Sequence, residues 1–137
     1  MAKIKCKDTK PERFIRKLLY ANGYRYRLNV TTLPGKPDIY LSKYKTTIFV
    51  NGCFWHRHEG CKYSYMPKSN IDFWNEKLTG NQERDKWKYA ELIAQRIRVI
   101  VIWECTVENA IKSKEVRSKL LSDIEGLLTR DIKAYEL

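Results

Sequence analysis

The chain has 137 residues, 43% of them hydrophobic, with 27 Lys and Arg against 16 Asp and Glu, so it carries a formal charge of +11 and can bury one core but not two. Its longest apolar run that reads as a core strand, Val99 to Trp103, falls far short of the roughly 20 residues needed to cross a bilayer. That excludes a membrane-spanning helix, and a basic Met-Ala-Lys-Ile-Lys-Cys start without a signal-peptide core points to the cytoplasm. A single domain over 1–137 is expected, with 1–10 as a short N-terminal arm.

Thr9-Lys10-Pro11-Glu12 reads as a helix start, Thr9 being the cap, Pro11 lying in the first turn and Glu12 at the capping-box position. Phe14, Ile15, Leu18 and Leu19 recur at helical spacing, and Asn22-Gly23 supplies the stop, so a helix over Pro11 to Ala21 is expected. Tyr24 to Leu28 alternates with period two, and Leu33-Pro34-Gly35-Lys36-Pro37 breaks the chain before Asp38-Ile39-Tyr40-Leu41, which predicts two strands around a Pro/Gly turn. Thr46 to Val50 is β-branched and apolar, a third strand suited to burial. Asn51 to Met66 has no period and holds both histidines and two of the cysteines, the composition of a functional or metal-tied loop. Ile71 to Leu78 and Glu83 to Gln95 read as two helices. Arg98 to Trp103 is the strongest strand signal and is expected to be central, and Val116 to Leu128 is an amphipathic helix. The order predicts a layered α/β domain with a mixed central sheet flanked by helices.

The positive balance raises the expectation of a polyanionic partner, because counterion release drives basic surfaces onto nucleic acid. Nine Tyr, four Trp and four Phe tilt the choice the same way, since aromatic faces beside cations stack on bases. Cys53-x4-His58-x2-Cys61 places three donors within nine residues, and Cys105 directly follows the strongest strand, where it can return to them; three thiolates and an imidazole make a closed structural zinc site. The alternative is free thiols with Cys105 buried as a small hydrophobe. Cys6 reads as incidental. With His58 assigned to metal, His56 remains as the one histidine whose ordinary titration range suits a general base near neutral pH. Pro37-Asp38 puts a carboxylate at a strand end, a half-match to restriction-type nucleases, whose next strand carries an acid, a spacer and a Lys. Here that strand ends Phe49-Val50-Asn51.

Leu33-Pro34-Gly35-Lys36-Pro37-Asp38, Ile48-Phe49-Val50-Asn51-Gly52-Cys53-Phe54-Trp55-His56, Phe73-Trp74, Asn81-Gln82-Glu83-Arg84-Asp85 and Val101-Ile102-Trp103-Glu104-Cys105 together resemble the very-short-patch-repair endonucleases. The resemblance runs from about Asp8 to Ala110. It implies a restriction-endonuclease-like α/β core and a bacterial or archaeal, nucleoid-associated enzyme. That enzyme would act as a monomer on double-stranded DNA and nick one strand 5′ to the thymine of a T·G mismatch. By the same resemblance Asp38 and the Val50 backbone carbonyl would ligate Mg²⁺, and His56 would be the base for the attacking water. Glu12 would orient metal-bound water, and Asp85 would lie near the leaving group. Cys53, His58, Cys61 and Cys105 would hold structural zinc, and Phe54, Trp55 and Trp74 would wedge between base pairs beside the mismatch. Asn51 occupies a catalytic position where the family has a histidine, so leaving-group assistance is expected to weaken or pass to water. Two alternatives stay open: a homing- or restriction-type nuclease without mismatch preference, and a catalytically weakened, zinc-stabilised DNA-binding module.

Overall fold

A computed structural model describes residues 9–137; Cys6 and most of the N-terminal arm lie outside the described residues. Helix α1 spans Lys10–Ala21, and the Thr9 hydroxyl accepts from the Glu12 N–H at 3.4 Å, as expected of its cap. Strands β1 (Arg27–Leu28), β2 (Ile39–Leu41) and β3 (Thr46–Asn51) follow, a 3₁₀ turn over Ser42–Tyr44 separating β2 from β3. Helix α2 (Ile71–Ala94) leads to β4 (Arg98–Trp103), then come α3 (Glu104–Lys112), α4 (Lys114–Leu127) and β5 (Ala134–Glu136).

The sheet order is β1-β2-β3-β4-β5, antiparallel on the β1 side and parallel between β3, β4 and β5. Alternation along the strands builds two cores. Ile48, Ile100 and Ile102 face α1, α3 and α4 with Ile15, Leu19, Val107, Leu120 and Ile124. Phe49, Val99, Val101 and Trp103 face the other way, onto Leu92 of α2. The result is a three-layer α/β domain, in which each fully buried aliphatic side chain contributes roughly 1.5–3 kcal/mol. No helix among the described residues is long and apolar enough to cross a membrane.

Four expectations need correction. The first strand is two residues, not five, because antiparallel register places Arg27 opposite Tyr40 and Leu28 opposite Ile39; the β2 strand ends at Leu41, leaving Tyr24 without a partner strand. Tyr24 instead packs against Tyr44, the rings 5.9 Å apart and tilted by 55°, and donates its hydroxyl hydrogen to Glu125 at 2.8 Å. The two helices expected around Gly80 are one continuous helix, α2, of 24 residues, since a single interior glycine costs only about 1 kcal/mol. The α3 helix was not expected; it is nine residues long, follows β4 without a loop, and buries only Val107 and Ala110. Strand β5, also unforeseen, is exposed at all three residues and is held by its backbone: Val99 N–H donates to Lys133 O at 3.0 Å and Leu137 N–H to Val101 O at 2.8 Å. Strand β4 is interior, as its apolar run requires, although β3 is the middle strand.

Candidate active site and metal centre

The parallel pairing of β3 with β4 places Asn51 opposite Trp103. Cys53 and Cys105 each lie two residues beyond that pair, so two neighbouring strand ends deliver them to one place. Tight turns return His58 and Cys61 to the same point: His58 N–H donates to Cys53 O at 2.9 Å and Cys61 N–H to His58 O at 3.3 Å. The donor atoms of Cys53, His58, Cys61 and Cys105 all lie within 4.8 Å of one another. Cys105 Sγ is 3.4 Å from His58 Nδ1, and the His58 ring stacks on Trp103 at 4.1 Å with the planes 6° apart. Three thiols and one imidazole converging without disulfides among them could hold a metal ion. Burial pushes the Cys53 thiol up to about 12, so a cation is needed to draw that sulfur into the thiolate form. The donor set fits a soft tetrahedral ion.

Donors alone do not order the loop. Arg57 donates to Thr79 Oγ1 at 3.2 Å and to Asn75 Oδ1 at 3.3 Å, Asn81 Nδ2 donates to Trp55 O at 2.9 Å, and Cys53 N–H donates to Glu104 Oε1 at 3.4 Å. Helix α2 is therefore a splint to which the segment after β3 is tied: Asn75 and Thr79, four residues apart, share the face that Arg57 reaches, and Asn81 holds the Trp55 carbonyl.

His56 emerges between these ties. Its Nδ1 is 2.6 Å from Asp85 Oδ2, and Asp85 is buried on α2. A neutral imidazole bonded this way donates its Nδ1 proton to the carboxylate and leaves Nε2 as the acceptor. Burial works against the Asp85 charge, but the hydrogen bond and charge of His56, with Lys88 beside it, hold the carboxyl below the ordinary range. Asp85 was expected near the leaving-group side; the structure places it directly on His56.

Asp38 sits at the start of β2, and its Oδ2 accepts from Val50 N–H at 2.8 Å. That bond leaves Oδ1 and the remaining lone pairs for a cation. Burial first, and then the neighbouring Glu12 carboxylate, push Asp38 up to about 7. Two carboxylates crowded in a half-buried cleft are what a divalent ion relieves. Glu12, Asp38, Val50, Asn51, His56 and Lys88 line a single cavity of about 540 Å³. At the α1 start the Glu12 N–H donates to the Thr9 hydroxyl, and Glu12 is among the residues that line the cavity.

Asn51 belongs to the cavity but is nearly buried, and its Nδ2 donates to the Tyr89 hydroxyl at 2.8 Å. Tyr89 in turn lies edge-on to Phe49 at 5.1 Å. The Asn51 amide therefore spends a donor on α2. Beyond His56, Phe54 lies 5.2 Å from Trp55 and 5.5 Å from Trp74, and Trp55 lies 5.9 Å from Trp74. None of the three is in a buried core. Tyr65 and Phe73, exposed by 63% and 58%, extend the cluster, a contiguous aromatic surface of the kind that marks a binding face.

Lys88, Tyr89 and Glu104 were not foreseen at the site. Helical spacing was the available signal for the first two, which stand three and four positions after Asp85. Glu104 directly precedes Cys105 and lines the cleft with Glu12, Trp55 and His56.

Comparison with known proteins converges on one family. A family model described as DNA mismatch endonuclease Vsr matches residues 1–62. A type II nicking enzyme of Neisseria meningitidis, V.NmeAIP, is 48% identical over 125 residues, covering 91% of this chain and 89% of the relative. The type II nicking enzyme V.XorIIP of Xanthomonas oryzae is 43% identical over 109 residues, 80% of this chain and 79% of its own. The DNA mismatch endonuclease Vsr of Escherichia coli is 36% identical over 112 residues, 82% of this chain and 71% of the relative.

Proposed function

The chain belongs to the Vsr family of DNA mismatch endonucleases, an endodeoxyribonuclease that nicks, and from that premise we propose that it cuts one strand 5′ to the thymine of a T·G mismatch in a Mg²⁺-dependent reaction. The observation that carries this reading is the His56–Asp85 pair at 2.6 Å, opening into the cavity that Asp38 and Glu12 line.

In the proposed reaction His56 Nε2 accepts a proton from the attacking water, while Asp85 holds the Nδ1–H and stabilises the imidazolium that forms. Asp38 and the Val50 carbonyl would hold the catalytic cation, and Glu12 would orient water in the same cavity. Bound Mg²⁺ supplies Lewis acidity to the phosphate and charge neutralisation to the leaving oxygen. The water oxygen bonds to phosphorus, the bond to the leaving oxygen breaks, and that oxygen takes its proton from solvent. Asn51, tied to Tyr89, frames the cavity without exchanging a proton. Cys53, His58, Cys61 and Cys105 would hold a structural zinc, which would fix the loop that carries His56 and the Phe54-Trp55 pair. Phe54, Trp55 and Trp74 enter the duplex beside the mismatch. One cleft per chain cuts one strand, so the enzyme acts as a monomer, in the bacterial or archaeal cytoplasm where its DNA lies.

Cleavage of an end-labelled duplex with one T·G pair, with and without Mg²⁺, tests the reading. A single cut 5′ to the thymine that needs the cation is expected. Binding without cutting would make the chain a DNA-binding module. Two relatives are named type II nicking enzymes, which favours, as the second reading, a nuclease of a restriction system that cuts matched sites.

A further inference from the structure

Helix α2 carries a lysine whose position is unusual for a residue on a helix surface. Lys88 Nζ lies 3.1 Å from Asp85 Oδ1, and the two side chains are only 17% and 12% exposed. The ammonium also sits 4.7 Å from the centroid of Phe49 on β3. A lysine this enclosed needs a partner for its charge: Asp85 Oδ1 is the carboxylate oxygen in contact with it, the Phe49 and Tyr89 rings lie 4.7 and 5.7 Å away, and Asp38 stands near enough to feel its charge.

The Asp85 carboxylate is thereby held at both ends, Oδ2 on His56 Nδ1 and Oδ1 on Lys88 Nζ. The terminal torsion of an aspartate is broad and roughly two-fold, so one hydrogen bond leaves the group free to swing. Two bonds from opposite sides do not. The turn before β2 makes room for this arrangement. Gly35 has φ +76°, and a Cβ built there would lie 2.5 to 2.9 Å from Cδ, Cβ and Cγ of Lys88. Only glycine lets the lysine stem pass beneath the Pro34-Gly35 turn into the site. An exposed helical Asp–Lys pair three residues apart would show neither the enclosure nor the accommodating glycine.

We infer that Lys88 is a positioning residue for strand cleavage: it pins the Asp85 carboxylate so that the opposite oxygen keeps His56 aligned toward the cavity. The inference rests on the nuclease reading above and extends it to a residue outside the cation-binding and base-carrying set. Lys88 acts through Asp85, so its effect exists only while Asp85 is a carboxylate.

A double-mutant cycle over Lys88→Met, Asp85→Asn and the pair, with Lys88→Arg as the conservative variant, tests this on full-length folded protein. Under single-turnover conditions with saturating enzyme, Lys88→Met is expected to slow cleavage about tenfold, and Lys88→Arg to recover most of that loss. DNA affinity and its salt dependence should stay at wild-type values. In the Asp85→Asn background, Lys88→Met should change the rate by less than a factor of about two, the residue having lost its target. An equal tenfold loss in that background would overturn the inference. So would weaker DNA binding with a salt slope reduced by about one and an unchanged saturated rate, which would make Lys88 a phosphate contact. The ¹⁵N chemical shifts of the His56 imidazole at one fixed pH provide a readout that needs no cutting. Lys88→Met should convert a single Nδ1–H tautomer into a mixture, and unchanged shifts would contradict the inference even if the chain cut no duplex at all.

Discussion

Val50 N–H and Asp38 Oδ2 meet at 2.8 Å across the antiparallel β2–β3 edge, beyond the last paired residues. This one bond fixes the Asp38 carboxylate against a strand end and turns its other oxygen into the cavity. The cost is a carboxyl group pushed up to about 7 from an ordinary value of 3.8, chiefly by burial and then by Glu12. Its folded-state affinity for a proton exceeds its unfolded-state affinity. The stability associated with the neutral form is therefore complete below about pH 4 and is lost as pH rises through about 7. Asn is neutral throughout and can still accept from Val50 N–H. Without added Mg²⁺, Asp38→Asn should be more stable than wild type at pH 8 by on the order of a few kcal/mol, with the gap closing toward pH 4. The same variant should not nick. Thermal melts across pH, together with a cleavage assay, check both halves; a variant less stable than wild type at pH 8 would refute the burial argument.

The 2.6 Å contact between His56 and Asp85 sets the second expectation. His56→Ala removes the proton acceptor, and Asp85→Asn leaves a neutral amide that no longer stabilises the imidazolium and can donate to Nδ1 as well as accept from it, so the Nδ1–H tautomer is no longer enforced. Each should lower the single-turnover rate by roughly 10²- to 10⁴-fold. Neither should alter DNA affinity by more than a factor of about two, because neither change removes a cation that contacts phosphate. Rates within twofold of wild type for His56→Ala would assign the proton to another acceptor.

Metal removal gives the third. The clustering of Cys53, His58, Cys61 and Cys105 within 4.8 Å should correspond to about one zinc per chain by elemental analysis, as a four-ligand site requires. Stripping it with a strong chelator should lower the melting temperature. Sheet and helix content should survive, because Arg57, Asn81 and Glu104 tie the loop independently. Cys105→Ser should reproduce the chelator's effect. An unchanged melting temperature after verified zinc loss would refute a structural role.

The fourth concerns α2 alone. Gly80 lies within the helix, and a Cβ there would meet Arg84 Nη1 at 3.6 Å, an ordinary contact. Gly80→Ala should therefore stabilise the protein by about 0.5–1 kcal/mol. Chemical denaturation measures it. Destabilisation would mean that the helix needs glycine at this position for a reason other than its backbone.

What the sequence made legible follows from how local each feature is. Thr9 and Glu12 announce the α1 start because capping is written within four residues. Cys53, His58 and Cys61 announce a metal loop by spacing, and Cys105 joins them because it follows a strand that could be recognised on its own. The register of Asn51 with Trp103 then supplies the juxtaposition. The β5 strand escaped notice because Ala134, Tyr135 and Glu136 are all exposed and show no buried alternation, their pairing resting on the backbone and on the Trp103 Nε1–H donated to Glu136 Oε2. Lys88 and Glu104 escaped for another reason. A charged residue on a helix reads as solvated until packing shows what covers it, and here Gly35, Phe49 and Cys53 do so from distant parts of the chain.

The central claim is mismatch-directed nicking, and the ratio of single-turnover rates on a T·G duplex and its fully paired T·A counterpart tests it most directly. Opening a base step costs a few kcal/mol and costs less where pairing is already distorted, whereas the stacking return on Phe54, Trp55 and Trp74 is similar on any sequence. The wild type should cut the mismatch faster, and Trp74→Ala should reduce that ratio more than it reduces residual cutting of paired DNA. Equal rates on the two duplexes would contradict the account and make the chain a nicking nuclease of matched sites.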